Sequence, residues 1–151
     1  MANTFVQNYI HITFHVKEDC YIDTNDIPKL CLYIGGIVQN LGGVLLAGGG
    51  IYDHIHLLVS VPKNISLADY LMKIKANSSR WLKTVGYQYR AFAWQDGYGA
   101  FSVSASKIET VKTYINNQAE HHRKKTYPEE VEEFFQSYDL GQVPPLRGSN
   151  Q

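Results

Sequence analysis

Residues 54–61, "HIHLLVSV", leave this chain few ways to fold. Ile55, Leu57, Val59 and Val61 alternate, and in an extended strand every second side chain falls on the same side. That side belongs in a core, so the opposite side carries His54 and His56 together, with Ser60 further along. Two imidazoles on one strand face are either a metal site waiting for a third ligand or a harmless polar surface. A second two-sided strand precedes it. In "YIHITFHVK" (9–17), Ile10, Ile12, Phe14 and Val16 take one side, and Tyr9, His11, Thr13, His15 and Lys17 take the other.

The segments between and after these strands carry helix signals. Asp26 stands before Ile27-Pro28 as an N-cap with proline in the first turn, and Leu30, Ile34, Ile37, Val38 and Leu41 follow at helical spacing until Gly42-Gly43. "VLLAG" (44–48) reads as a short strand, turned by "GGIYD" into the histidine strand, which Pro62 ends. Ser66 with Asp69 resembles a capping box and predicts a helix to about Lys83. "GAFSVSA" (99–105) is a fourth strand. Ser106 and Glu109 form an S-x-x-E capping box that predicts a helix through Lys124, with Ile108, Val111, Ile115 and Ala119 as its apolar stripe. Pro128 can begin a last helix. The order β-α-β-β-α-β-α is the ferredoxin-like arrangement, an α+β fold with one antiparallel sheet and helices on one face. The other face stays partly open, and His54, His56, His11 and His15 point toward it.

The 151 residues suffice for one domain, expected over 1–140, with 141–151 as a loose tail. At 44% hydrophobic and 19% charged, the composition is that of a globular protein. No apolar run approaches a membrane span, and the N-terminus lacks the pattern of a signal peptide. Cys20 and Cys31 have no metal-like spacing, which points to a reduced cytoplasmic setting. The net charge of zero conceals an asymmetry. Residues 63–125 hold 11 Lys and Arg against Asp69, Asp96, Glu109 and Glu120, whereas Glu129, Glu130, Glu132, Glu133 and Asp139 collect in the tail. A neutral chain can therefore present a basic face to nucleic acid.

"DHIHLLV", "WQDGYGAFSVS" and "YINNQAEHH" resemble, in that order and spacing, the one-tyrosine transposases of the HUH (His-hydrophobic-His) endonuclease superfamily. These are the small single-strand transposases of bacterial insertion sequences and their domesticated relatives. The resemblance runs from "YIHITF" to the helix carrying Tyr114. It implies that His54, His56 and Gln118 bind a divalent metal, Mg²⁺ or Mn²⁺, and that Tyr114 is the nucleophile. His121 and His122 match a recurrent part of the same motif, in phosphate contact or in helix packing. Gly48-Gly49-Gly50, before the histidine strand, is looser than the family's usual pattern.

The implied chemistry is cleavage and rejoining of single-stranded DNA with hairpin ends, through a covalent 5′-phosphotyrosine. A phenol with a pKa near 10 is a poor nucleophile unaided, and a metal on the scissile phosphate supplies the help. Phosphate contacts fall to Lys73, Lys75, Arg80 and Lys83 on the second helix and to His121, His122, Arg123, Lys124 and Lys125 beyond the tyrosine. Tyr87, Tyr89, Phe92 and Trp94 are aromatic candidates for base stacking, or core. The family acts as homodimers, and strand 99–105 is a plausible pairing edge. Two alternatives are a DNA-binding relative that has lost transposition, and a hydrolytic zinc enzyme recruiting His11, His15 or Asp53 as third ligand.

Overall fold

The computed structural model describes residues 3–118 and Glu129. Four strands form one antiparallel sheet: β1 (Tyr9–His15), β2 (Val44–Ile51), β3 (His54–Ser60) and β4 (Gly99–Ser102), in the order β2-β3-β1-β4. Helices α1 (Ile27–Asn40), α2 (Leu67–Val85) and α3 (Ile108–Asn116) complete the α+β fold. The expected last helix after Pro128, the tail at 141–151 and the domain limit at residue 140 lie outside the described residues.

The alternation sorts the sheet's two faces as the sequence predicts. Ile10, Ile12, Phe14, Ile55, Leu57 and Val59 pack under α1 and α2 with Leu30, Ile34, Val38, Tyr70, Leu71 and Ile74. The aromatic segment after α2 adds to this core: Tyr89, Phe92 and Trp94 are buried, and Trp94 Nε1 donates to the buried Ser78 Oγ at 3.0 Å. Ser66 caps α2, its Oγ accepting from the Asp69 N–H.

The opposite face is not left open. Helix α3 lies across it, with Ile108, Val111 and Ile115 against Ala47, Leu58 and Val103. Leu58 shares the histidine face and gives α3 an apolar seat. Gly49 gives it clearance: a Cβ there would come within 2.6 Å of the Ile115 carbonyl oxygen.

Several local expectations shift. The three glycines belong to β2, which runs to Ile51, and the turn into β3 is only Tyr52 and Asp53. Strand β4 stops at Ser102, and a 3₁₀ turn (Ala105–Lys107) intervenes before α3. The Ser106/Glu109 capping box does not form; Ser106 Oγ lies 3.1 Å from Ser104 Oγ, and Lys107 precedes α3 with no side-chain cap bond. Asp26 precedes α1 as expected, but its carboxylate accepts from the Tyr89 hydroxyl rather than capping the helix. Helix α3 ends at Asn116, and Asn117 leaves helical geometry, so Tyr114 and Gln118 do not share one uninterrupted helix.

Candidate active site

Pairing of β1 with β3 sets the floor of the site. The register places His11 opposite Leu58, Thr13 opposite His56 and His15 opposite His54. His11 and His56 are thus diagonal neighbours on one face, within reach of each other's rings. Their bond, between His11 Nε2 and His56 Nδ1, measures 3.0 Å. His54 is held from the other end: its Nδ1 lies 2.8 Å from Oδ1 of Asp53, in the two-residue turn before β3. His11, His54 and His56 are all buried. Each β3 histidine therefore has Nδ1 engaged, so that a ligand role would fall to Nε2, a division of labour common in metal-binding imidazoles.

Helix α3 supplies the roof. The Tyr114 ring stands edge-on to His56, with centroids 5.7 Å apart at 90°, and edge-on to His11 at 6.2 Å. This approach depends on Gly49, which pairs with His56 across β2 and β3 and lies beneath Ile115, the residue after Tyr114. Gln118 follows the break at Asn117. Its Nε2 donates to the Tyr114 carbonyl at 3.2 Å, which identifies Oε1 as the acceptor end of the amide. That Oε1 is buried and makes no hydrogen bond among the described residues, a costly position unless something electropositive faces it.

Of the residues read from the sequence, the rings of His54, His56 and Tyr114 are brought together, and Gln118 bonds to the Tyr114 carbonyl. Two supporting partners were not read as such: His11 and Asp53 figured only as possible zinc ligands. Among the described residues no three His, Cys, Asp or Glu side chains are grouped to hold a metal, and His11 and Asp53 instead bond to the rings of His56 and His54. His15 Nδ1 pairs with the Val16 carbonyl.

The basic candidates on α2 are not brought to this cluster, because α2 covers the other side of the sheet. Lys73, Arg80 and Lys83 are exposed there. Lys75 is half-buried and donates to the carbonyls of Gln95 (2.7 Å) and Gly97 (2.9 Å). Burial pushes its pKa down, and Asp96 pulls against that shift. Of the aromatic candidates only Tyr87 is exposed, with the Arg90 guanidinium 4.1 Å above its ring. His121, His122, Arg123, Lys124 and Lys125 lie outside the described residues.

The family model described as "Transposase IS200 like" matches residues 4–118, and the chain belongs to that family. A REP-associated tyrosine transposase, solved bound to a REP hairpin, superposes with a TM-score of 0.58 at 12% identity, over 81% of this chain and 73% of that one. A candidate transposase from Deinococcus radiodurans R1 superposes with a TM-score of 0.57 at 20% identity, over 78% of this chain and 96% of that one. At these identities the superpositions support the fold. No curated protein matches the chain. Membership makes the protein a DNA-binding transposase, which cuts and transfers DNA strands. No helix among the described residues is long and apolar enough to cross a membrane.

Proposed function

We propose that this transposase cleaves and rejoins single-stranded DNA with hairpin ends, using Tyr114 as nucleophile and a divalent metal held by His54, His56 and Gln118. One observation supports the reading: the Tyr114 ring stands against His56 while its carbonyl holds the Gln118 amide.

The residues fit a metal. The buried Gln118 Oε1 lacks a hydrogen-bond donor, and the two imidazoles are oriented through Nδ1. Two nitrogens and an amide oxygen suit Mn²⁺ by ligand softness, while Mg²⁺ favours oxygen. When bound, the ion polarises the scissile phosphate and stabilises the leaving 3′ oxygen. Tyr114 Oη forms a bond to phosphorus as the bond to the 3′ oxygen breaks. The phenol loses its proton, and the 3′ oxygen takes one up. The products are a 5′-phosphotyrosine and a 3′-hydroxyl, and the retained ester can be resealed to a new end without ATP. Asp53 orients His54 throughout. Lys73, Arg80 and Lys83 offer charge to the phosphate backbone beyond the cleavage site, and the protein acts as a homodimer.

The test uses labelled single-stranded DNA carrying the element's end, with Mn²⁺ or Mg²⁺, resolved on a denaturing gel. Wild type should give a labelled protein band that protease removes. Tyr114→Phe should give neither band nor cleavage, while losing only about 1 kcal/mol of stability. A band from Tyr114→Phe would remove Tyr114 from the role, and cleavage without any band would favour a hydrolytic enzyme. DNA binding without cleavage by wild type would favour a relative that has lost transposition.

A further inference from the structure

We infer that His11 is a positioning residue that holds His56 in its metal-binding tautomer; this rests on the metal role proposed for His56. The hydrogen bond between His11 Nε2 and His56 Nδ1 contains a single proton. If His56 donates it, His56 Nε2 carries the lone pair that a metal needs. If His11 donates it, the His56 proton sits on Nε2 and blocks coordination. The two arrangements are mutually exclusive.

His54 faces no such choice. Its partner is the Asp53 carboxylate, which when ionised can only accept. Donation from His54 Nδ1 then leaves Nε2 ready to coordinate. His56 has an imidazole for a partner, and an imidazole can act either way. The state of His56 therefore depends on which nitrogen of His11 carries the proton. Coordination requires His11 with its proton on Nδ1 and Nε2 as acceptor.

The contact is built to persist. The two residues are 45 positions apart in sequence and are held by the β1–β3 register, with exposures of 1% for His11 and 0% for His56. Their rings tilt at 45° with centroids 5.2 Å apart. The Tyr114 ring stands edge-on to both imidazoles, so the residue that sets the tautomer of the ligand also packs against the nucleophile.

The experiment uses the full chain and compares wild type, His11→Phe and His11→Gln. Phe keeps an aromatic ring under Tyr114 and removes the acceptor. The Gln carbonyl reaches toward the position of Nε2 and restores an acceptor. Long-range ¹H–¹⁵N correlation spectra of the metal-free proteins, at a pH where the imidazoles are neutral, report which ring nitrogen of His56 is protonated. Wild type and His11→Gln should carry that proton on Nδ1, and His11→Phe on Nε2. Mn²⁺ affinity, read from the electron paramagnetic resonance signal of the unbound ion, should fall 10- to 100-fold in His11→Phe, the usual cost of losing such a partner, and should largely return in His11→Gln. A His56 proton on Nε2 in wild type overturns the inference, and so does a folded His11→Phe that binds Mn²⁺ as tightly as wild type. If His11→Phe does not fold, the wild-type tautomer and the affinity of His11→Gln decide. Wild type that binds no Mn²⁺ overturns the metal reading itself, a different result from wild-type binding that His11 does not influence.

Discussion

Gly49 lies directly beneath Ile115: a methyl group at position 49 would come within 2.6 Å of the Ile115 carbonyl oxygen. Helix α3 can therefore bring its backbone this close to β2 only at a residue without a side chain, and the position of Tyr114 follows from that contact. Gly49→Ala should push α3 outward, costing roughly 1–3 kcal/mol, as overpacking does, and should sharply reduce strand cleavage. Gly36→Ala is the control. Gly36 is in α1 with nothing within 4 Å of its would-be Cβ, and alanine there should add about 0.5–1 kcal/mol. Urea denaturation and the gel assay on both variants check this. Equal stability of Gly49→Ala and wild type would refute the clearance argument.

His54→Ala and His56→Ala should each abolish metal-dependent cleavage while keeping most of the affinity for single-stranded DNA. That affinity should rest on Lys and Arg contacts to phosphate and weaken steeply with salt. Filter binding at several salt concentrations, beside the gel assay, separates the two effects. Full nicking by either variant, or by wild type in excess chelator, would contradict the ligand assignment.

Tyr89 ties the segment after α2 to the approach to α1. Its hydroxyl donates to Asp26 Oδ2 at 2.6 Å and accepts from the Asp23 N–H at 2.9 Å. Burial, reinforced by the Asp26 hydrogen bond, pushes its pKa from 10.0 up to about 12. A pKa raised by folding contributes stability that is whole below the unfolded value and lost as pH climbs through the folded one. Wild-type stability should therefore fall across the window from 10.0 to about 12. Tyr89→Phe should lose about 1–3 kcal/mol at neutral pH and show a shallower decline above it. Denaturation midpoints across an alkaline pH series measure both, and an unchanged slope in Tyr89→Phe would sink the assignment.

The homodimer should appear as twice 17.1 kDa in light scattering. Strand β4 is an edge of the sheet and offers unpaired backbone groups to a second copy. A single species near 17.1 kDa over a wide concentration range would rule the dimer out.

Period-two alternation is a local property, so β1 and β3, their buried faces and the shared direction of His54 and His56 were legible in single stretches of sequence. The helical spacing of α1 and α2 was equally legible, and the Ser66 cap formed as its spacing predicts. Tyr114 and Gln118 emerged through the family resemblance, which grouped them with the histidines; the fold sets the Tyr114 ring against His56. What tertiary structure alone decided are relations between distant residues. The β1–β3 register made His11 the partner of His56. The absence of a side chain at Gly49 let α3 cover a face expected to stay partly open. Packing of α2 on the far side carried Lys73, Arg80 and Lys83 away from Tyr114. The physical reason is common to all three: a pattern along the chain reports which way a side chain faces, but not what meets it there. That depends on strand register and interhelical clearance, which arise only when segments tens of residues apart are packed together.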